Sequence, residues 1–377
     1  MFLRPIPSRV WLRSLARVRF NSNVFSVFFV FLFLTWDRNA MSEHKIITLE
    51  RHIIEGERAH PGASGSFSGL LRDLTLAIKI ISREVSKAGL VDILGSVGRE
   101  NIHGDEVKKL DVFAHETIYK AMDHGGHLCV MASEEHEDVM NIPEHYPTGK
   151  YVLIYDPLDG SSNIDANVTI GTIFSLFRRV SPSGPGTLRD CLQPGYKQVS
   201  AGYVMYGSST MIVYTTGDGV HGFTLDPSIG EFLLSHENMR IPKRGRIYSV
   251  NEGNFHRWQD GMKNYVRFLQ EEDKATNRPY SARYVGSLVG DIQRTLLYGG
   301  IFMYPADSKN PNGKLRLMYE GNPMAFLVEQ AGGRASDGLR RILDIQPKAL
   351  HERTPLLIGS EEDVVIAEEF LQGKRSR

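Results

Sequence analysis

The stretch Tyr151-Val-Leu-Ile-Tyr155-Asp156-Pro-Leu-Asp159-Gly160-Ser-Ser-Asn163 is the most informative part of this sequence. Its apolar start predicts a buried strand that delivers two carboxylates at its carboxyl end, the edge where open α/β sheets bind ligands. Gly160-Ser161-Ser162 can then turn into a helix start whose backbone N–H groups bind a phosphate. A plain turn is the alternative, since Asp-Pro-x-Asp-Gly favours turns by itself. The strand before it and the serines after it favour a ligand site.

A second pair of acids, Glu134-Glu135, follows the strand-like run Leu128–Met131. Alone, such a pair is typical of a solvated helix start. If both strands end at one sheet edge, four carboxylates meet there, and they repel one another unless cations neutralise them. Carboxylate and carbonyl oxygens suit Mg²⁺ or Mn²⁺, and two ions about 3.5–4 Å apart can clamp a phosphoryl group during its transfer. Glu320 could add a ligand, although its spacing equally suits a surface helix.

Apolar periodicity predicts the remaining elements. A helix is expected from Leu70 to Val85 with Ser68 as its N-cap, and another after Asp111, while the polar residues 95–109 are expected to form a long mobile loop. Strands are predicted at 127–132, 151–155, 172–177, 203–205, 211–215 and 301–304, and further helices at 256–272, 287–298, 323–331 and 361–371. This mixture predicts an α/β fold, with a domain boundary near residues 241–245.

The composition is that of a soluble globular enzyme. The chain has 377 residues, 41% hydrophobic and 23% charged, which suits about two domains and excludes a disordered chain, a collagen-like repeat and a disulfide scaffold. Lys and Arg number 44, as do Asp and Glu, and this zero net charge argues against a generic nucleic-acid binder. The two cysteines, Cys129 and Cys191, suit a reducing compartment.

The neutral total hides a basic leader. Residues 1–40 hold six arginines, no lysine and one aspartate, a charge of +5 that leaves −5 on residues 41–377, and they include the apolar run Val24–Leu34. A signal peptide would need a small-residue cleavage site, and a membrane anchor would need about 20 apolar residues. The main alternatives are therefore an organellar presequence and an upstream extension of the gene model, with translation starting at Met41.

Several longer motifs are spread along the chain: Gly-Asp-Glu-Val-Lys-Lys-Leu-Asp (104–111), Ser-Glu-Glu (133–135), Asp-Pro-Leu-Asp-Gly-Ser-Ser-Asn (156–163), Asn-Glu-Gly (251–253), Ala-Arg-Tyr-Val-Gly-Ser (282–287), Gly-Gly-Ile-Phe-Met-Tyr-Pro (299–305) and Pro-Asn-Gly-Lys-Leu-Arg-Leu (311–317). With these motifs the sequence from about Ile47 to Leu371 closely resembles class I fructose-1,6-bisphosphatases. Asp-Pro-Leu-Asp-Gly alone would indicate only the wider superfamily of metal-dependent, lithium-sensitive sugar and inositol phosphatases. The resemblance implies a layered α-β-α-β-α sugar-phosphatase fold with two sub-domains: residues 41–240, with an AMP region and the metal site, and residues 241–377, with the substrate phosphate pocket.

The resemblance also implies the catalytic roles. The cofactor would be Mg²⁺, with Mn²⁺ or Zn²⁺ as alternatives. The implied metal ligands are Glu134, Glu135, Asp156, the Leu158 carbonyl, Asp159 and Glu320. Asp111, next to Glu135, would activate the attacking water, and Asp105 would lie with Asp111 on a mobile catalytic loop.

The implied substrate is fructose 1,6-bisphosphate, hydrolysed to fructose 6-phosphate and phosphate in gluconeogenesis. Asp159, Gly160, Ser161 and Ser162 would bind at the 1-phosphate. The 6-phosphate and sugar contacts would be Asn251, Arg283, Tyr284, Leu288, Tyr304, Lys314 and Arg316. An ammonium, a guanidinium, phenols and an amide suit a phosphate dianion. Arg283 would reach the pocket from a neighbouring subunit, which implies a homotetramer. Asn254 stands where many animal members have another tyrosine.

Allosteric inhibition by AMP is a further implication of the resemblance. The AMP-site residues would be Gly65, Ser66, Phe67, Ser68, Lys150, Tyr151 and Arg178. Ser66 replaces the acid that usually follows this glycine, and we still expect AMP to inhibit.

Two other functions remain open. A phosphatase for sedoheptulose 1,7-bisphosphate, an inositol phosphate or a nucleotide is one, but a substrate with a single phosphate would leave Arg283 and Lys314 unpaired. A catalytically inactive regulatory member is the other, and the presence of every matched carboxylate argues against it. We expect a cytoplasmic location, or an organellar one if the leader is a presequence. Neither nucleic acid nor a membrane is expected as a partner of residues 41–377.

Overall fold

The computed structural model describes residues 46–58, 65–87, 90, 96–100 and 106–376. The expectations for residues 1–40 and for Asp105 fall outside this part of the chain. Its helices are α1 Leu49–Arg58, α2 Ser66–Val85, α3 Lys109–Met122, α4 Leu188–Cys191, α5 Asp260–Gln270, α6 Leu288–Tyr298, α7 Asn322–Gln330 and α8 Glu361–Leu371. Its strands are β1 Ser96–Glu100, β2 Glu106–Lys108, β3 Leu128–Ser133, β4 Met140–Asn141, β5 Tyr151–Asp159, β6 Ile170–Arg178, β7 Gln198–Tyr206, β8 Thr210–Thr215, β9 His221–Asp226, β10 Glu231–His236, β11 Ile247–Ser249, β12 Ser281–Ala282, β13 Ile301–Tyr304, β14 Leu315–Arg316, β15 Arg334–Ser336, β16 Arg353–Thr354 and β17 Leu356–Gly359.

Two sheets organise these elements. The larger sheet has the order β10-β9-β8-β7-β6-β5-β3-β4, and its strands pair antiparallel except that β3 runs parallel to β5. The smaller sheet has the order β12-β11-β13-β17-β15. The predicted strands of residues 127–215 are therefore neighbours in one sheet. Each extends one to five residues beyond at least one of its predicted ends, because the ladder continues past the apolar runs.

The described residues form four hydrophobic cores, three of which separate the five layers. Helices α1, α2 and α3 pack on one face of the larger sheet, with Leu74, Ile78 and Ile118 fully buried there. The other face packs through α6 and α7 against the smaller sheet. Helices α5 and α8 cover the far side of the smaller sheet. The α-β-α-β-α layering is confirmed, and the division into sub-domains at residue 240 stays a prediction.

Two local predictions were wrong. Helix α2 begins at Ser66 after Gly65, which has φ 70°, so Ser68 lies inside the first turn and is not the N-cap. The helix starts earlier because glycine can adopt a left-handed conformation at the boundary without strain. Residues 96–100 and 106–108, expected in a loop, pair as the antiparallel ribbon β1–β2. These two strands contain few apolar residues, so the sequence shows no alternation of apolar and polar residues that would predict them.

None of the helices in the described ranges is long and apolar enough to cross a membrane.

Candidate active site

The ends of β3 and β5 bring the first acids together. Ser133 pairs with Tyr155 in the parallel register, and the Glu134 N–H donates to the Tyr155 carbonyl at 3.1 Å. Parallel neighbours end at the same edge of a sheet. Glu134, Glu135 and Asp156 therefore leave the larger sheet side by side, and all three line one cavity of about 600 Å³.

A β-bulge brings Asp159 to the same place as Asp156. Side chains alternate between the two faces of a regular strand, so residues three apart point in opposite directions. Here the β5–β6 register shifts between Asp156, which pairs with Ile173, and Asp159, which pairs with Gly171. Three residues thus oppose two, the geometry of a bulge. Both aspartates consequently face the cavity, and Pro157 occupies the irregularity, where a missing N–H costs little.

Glu320 completes the cluster from the other side. It lies on a single π-helical turn, Leu317–Gly321, and its Oε2 accepts the Arg316 N–H at 2.6 Å. Ligand oxygens of Asp156, Asp159 and Glu320 lie within 4.8 Å of one another. The side chain of Glu320 is only 5% exposed, so the surface-helix interpretation of this residue is wrong.

The acids are buried with little compensating charge. Removal from water raises the pKa of Glu134 to about 7, although the Arg316 guanidinium, 2.8 Å away at Nη1, opposes the shift. Burial likewise raises the pKa of Asp159 to about 6 and that of Glu320 to about 8. The pKa of Asp156 lies well above its usual value because of burial and the neighbouring acids. Each free carboxylate therefore disfavours ionisation of the next.

The chemistry of this cluster fits divalent cations. Among the described residues, the buried Oε2 of Glu134 has no hydrogen-bond donor, and an acceptor left without a donor away from water is costly. The donor set consists of carboxylate oxygens, which are the ligands preferred by Mg²⁺, Mn²⁺ and Ca²⁺. The residues present can therefore hold a hard metal ion.

The turn after β5 has the form expected of a phosphate site. Gly160 has φ 80°, and a short 3₁₀ helix, Ser161–Asn163, follows it. A Cβ at Gly160 would lie 3.2 Å from the Cβ of Ser287, so both the backbone angle and the space favour glycine. Gly160, Ser161 and Ser162 line the cavity beside the acids.

Most of the other predicted site residues line the same cavity. They are Asp111, Leu158, Asn251, Tyr284, Leu288, Tyr304, Lys314 and Arg316. Arg283 does not: it is exposed, and its Nη1 donates to the Ala282 carbonyl at 2.8 Å. Asp105 lies outside the described residues.

Sequence reasoning missed the residues that hold Asp159. The Ser287 hydroxyl and the Val289 N–H both donate to Asp159 Oδ2, at 2.9 and 3.0 Å. These bonds lower the pKa of Asp159 but do not cancel the effect of burial. Ser287 also caps α6 through the Gly290 N–H. A serine before a helix indicates an N-cap, but no local sequence pattern indicates that Ser287 also donates to Asp159. Asn163, Gly286, Phe302 and Leu315 also line the cavity and were missed.

The predicted AMP residues gather away from this cavity, at the other end of β5. The Phe67 ring lies 6.0 Å from that of Tyr151, and the Arg178 guanidinium lies 5.3 Å above the Tyr151 ring. Lys150 and Arg178 are exposed. Glu57, which the sequence did not single out, accepts from the Ser68 N–H and hydroxyl at 3.1 and 2.9 Å. The first turn of α2 is therefore held by a carboxylate.

A larger cavity, of about 900 Å³, lies elsewhere and is lined by Met262, Leu339 and Ala349 among others. It holds none of the clustered acids. Volume alone would favour it, but the convergence of acids and a phosphate turn identifies the smaller cavity as the candidate active site.

Two family models match nearly all of the described chain. Residues 47–237 match the fructose-1-6-bisphosphatase N-terminal domain, and residues 241–372 match the C-terminal domain. The chain belongs to the class 1 fructose-1,6-bisphosphatase family. Among curated relatives, the class 1 fructose-1,6-bisphosphatase of Chloroherpeton thalassium is 65% identical over 88% of this chain and 95% of its own length. That of Chlorobium chlorochromatii is 59% identical over 88% and 99%.

A solved member of the family has the same fold. The holo form of fructose-1,6-bisphosphatase from Leishmania major is 42% identical and superposes with a TM-score of 0.81, covering 87% of this chain and 99% of its own. The resemblance seen in the motifs is thus confirmed, as is the sugar-phosphatase fold. The two family matches meet between residues 237 and 241, close to the predicted boundary.

Proposed function

We propose that this protein hydrolyses fructose 1,6-bisphosphate to fructose 6-phosphate and inorganic phosphate, with Mg²⁺ as its cofactor. The observation that carries the proposal is a single cavity that contains both the acid cluster with its phosphate turn and a second set of polar groups. The second set is Asn251, Tyr284, Tyr304 and Lys314. A substrate with two phosphates suits a cavity with two separate sets of phosphate-binding groups. Family membership supports the same substrate.

Different groups of the cavity are proposed to bind the two phosphates and to accept a proton. The N–H groups of Gly160, Ser161 and Ser162 would bind the 1-phosphate. Lys314 and the two tyrosines would bind the 6-phosphate and hold the sugar in line with the acids. Asp111, which lines the cavity with Glu135, would accept the proton of the attacking water. Asp105 is proposed to act with Asp111.

The metal would be held by Glu134, Glu135, Asp156, the Leu158 carbonyl, Asp159 and Glu320. When bound, divalent cations polarise phosphate oxygens and lower the pKa of water. Mn²⁺ and Zn²⁺ are the alternatives, to be ranked by replacing the metal.

Metal affinity is expected to rise with pH. Glu134, Asp159 and Glu320, with pKa values raised to about 7, 6 and 8, must lose protons before they can bind a cation, so Mg²⁺ binding should be at least about tenfold tighter at pH 8 than at pH 6. Isothermal titration calorimetry of the metal-free protein measures this, and two buffers of different ionisation enthalpy count the protons released. Equal affinity at both pH values would contradict the assignment.

The free energy of unfolding of the metal-free protein, unlike its metal affinity, should decrease as the pH rises. Because the folded state holds protons that the unfolded state has already lost, the free energy of unfolding falls as pH rises between about 5 and 8. Mg²⁺ binds the folded state and should offset that loss. Melting temperatures at both ends of this range, with and without Mg²⁺, check the sign.

A substrate panel tests the reaction itself. Phosphate release is measured with Mg²⁺ on fructose 1,6-bisphosphate, sedoheptulose 1,7-bisphosphate, inositol 1-phosphate and AMP. Fructose 1,6-bisphosphate is expected to give the highest kcat/KM. In Lys314→Gln its KM should rise roughly 10–100-fold, the cost of a lost hydrogen bond to a charged group. A preference for a substrate with one phosphate would contradict the proposal.

We also propose inhibition by AMP at the α2 end of β5. Tyr151 begins this strand and Asp156 lies near its end, so the two sites are joined by a rigid element roughly 20 Å long. The exposed cations Lys150 and Arg178 beside Tyr151 suit a phosphate and a ribose, and the first turn of α2 offers N–H groups to an anion.

Glu57→Gln is expected to strengthen AMP inhibition. The Glu57 carboxylate occupies the Ser68 N–H and hydroxyl, which a phosphate would need, and a neutral amide competes less for this helix N-terminus. Removing the charge should lower the AMP concentration for half-inhibition about two- to fivefold, with uninhibited kcat unchanged. Glu50→Gln, an exposed acid on the same helix, is the control. Unchanged or weaker inhibition in Glu57→Gln would contradict this arrangement.

The assembly and setting are proposals as well. Arg283, exposed and outside the cavity of its own chain, supports the idea that it reaches the site of a neighbouring subunit in a homotetramer. Light scattering and mixing of Arg283→Ala with a catalytically inactive variant test that arrangement. We also propose a role in gluconeogenesis and a cytoplasmic location, with an organelle as the alternative if residues 1–40 are a presequence.

A further inference from the structure

The acids of the candidate metal site come from segments far apart in the chain. Glu134 and Glu135 lie on the turn after β3, whereas Glu320 lies on the π-helical turn Leu317–Gly321. No β-ladder joins these two turns among the described residues. Their separation must nevertheless be held, because carboxylates that share cations need fixed positions.

His351 contacts both turns at once. Its Nε2 lies 3.1 Å from the His136 carbonyl oxygen and 3.2 Å from that of Glu137, directly after the first pair of acids. Carbonyl oxygens only accept, so the ring must donate here. Its imidazole also packs against the ring of Tyr319, at 5.2 Å between centroids, and Tyr319 directly precedes Glu320.

The residues after His351 extend the connection. The Glu352 carbonyl accepts the Leu317 N–H at 2.8 Å, at the start of the π-helical turn. Arg353 then pairs with Arg316 in the β14–β16 ladder. The segment that begins at His351 is thus bound to the Glu320 side by backbone hydrogen bonds and to the turn after β3 by the His351 side chain, beside the Arg316–Glu134 ion pair that also joins the two sides. An imidazole has two rotatable bonds and little freedom once half-buried.

We propose that His351 is a positioning residue that fixes the turn carrying Glu134 and Glu135 relative to Glu320, and so sets the affinity of the site for divalent cations. The inference rests on the proposed metal-dependent function. It needs no proton to move on the ring, since both hydrogen bonds are donated by Nε2 whether or not Nδ1 carries a proton.

Two substitutions test the role. His351→Ala removes the donor and is expected to weaken Mg²⁺ binding by roughly 10–100-fold, the usual cost of losing a group that orients metal ligands. His351→Gln keeps an amide donor at a similar reach and should bind Mg²⁺ within about threefold of the unsubstituted protein. Affinity is measured by calorimetry on metal-free protein, with the Mg²⁺ dependence of turnover beside it. At saturating Mg²⁺, kcat and the KM for fructose 1,6-bisphosphate should stay within about twofold. His124→Ala, an exposed histidine two residues after α3, is the matched control.

Hydrogen exchange separates failure of this inference from failure of the proposed function. In metal-free His351→Ala, the amides of residues 136–138 should exchange at least about tenfold faster while those of β5 keep their protection. Unchanged Mg²⁺ affinity in folded His351→Ala, or equal weakening in His351→Gln, would overturn the positioning role. If the unsubstituted protein bound no Mg²⁺ at all, the proposed function and the role of His351 in metal affinity would both be overturned. Faster exchange in His351→Ala would then show only that His351 holds the turn after β3 in place.

Discussion

Asp156→Asn is expected to lower kcat for fructose 1,6-bisphosphate by roughly 10³-fold, the scale of losing a main source of transition-state charge stabilisation. Asp156 is buried between Glu134, Asp159 and Glu320, the groups whose charges raise its pKa after the effect of burial itself. An amide has the same shape but cannot supply the negative charge that holds a divalent cation. The measurement is steady-state phosphate release over a Mg²⁺ series.

The same substitution should make the metal-free protein more stable. Removing one charge from the cluster relieves repulsion and the cost of burying an anion. A gain of about 1 kcal/mol, the size of a one-unit pKa shift, raises Tm by roughly 2 °C in a chain of this size. The increase should be larger at pH 8 than at pH 5, because the raised pKa of Asp156 leaves less of its carboxyl ionised at the lower pH. The rise of Tm on adding Mg²⁺ should largely disappear. Asp260→Asn, at an exposed helix start, is the control. A fall in the metal-free Tm at pH 8 would contradict the electrostatic account.

Asp111→Ala is expected to lower kcat by about 10²–10⁴-fold, the contribution of a positioned general base. Asp111 is 3% exposed on the first turn of α3 and lines the cavity with Glu135. Because it is not proposed as a metal ligand, Mg²⁺ binding and the Mg²⁺-dependent rise in Tm should persist. Loss of activity with retained metal binding separates this role from that of Asp156.

Two further variants, Asp111→Asn and Glu116→Gln, test whether the loss of activity in Asp111→Ala has a purely structural cause. An acid in the first turn also stabilises a helix by about 0.3–1 kcal/mol, and both substitutions of Asp111 lose that charge. Asp111→Asn is included because it preserves the shape of the side chain while removing the base. Glu116→Gln, an exposed acid on the same helix, should keep full activity. If Asp111→Asn retained more than about a tenth of the original kcat, the water would be activated elsewhere.

Where the signal is local, the sequence was sufficient. The apolar run before Asp156 predicted a buried strand, and the glycine and serines after Asp159 predicted the turn that the structure contains. The strand Ile301–Tyr304 and the helix Glu361–Leu371 have the predicted bounds. In each case the pattern of apolar residues is bounded by a turn or capping residue within the same segment.

The sequence did not predict the contacts that hold the site acids in place, because their partners are distant in the chain. The hydroxyl of Ser287 holds Asp159 across 128 positions of the chain, and the ion pair between Arg316 and Glu134 likewise joins residues that no local pattern relates. The β-bulge that turns Asp156 and Asp159 to one side depends on the neighbouring strand β6. Such contacts exist only after the sheet has formed, so spacing could suggest which residues meet but not how they are held.

The most direct test of the central claim follows the phosphorus atoms of the substrate. Fructose 1,6-bisphosphate is incubated with the purified protein and Mg²⁺, and ³¹P NMR records the products over time. We expect the 1-phosphate signal to be replaced by inorganic phosphate while the 6-phosphate signal remains, with a rate roughly 10³-fold lower in Asp156→Asn and no reaction in the presence of a chelator. Persistence of both signals, or accumulation of fructose 1-phosphate, would contradict the assignment of the acid cluster and its phosphate turn as the site that cleaves the 1-phosphate.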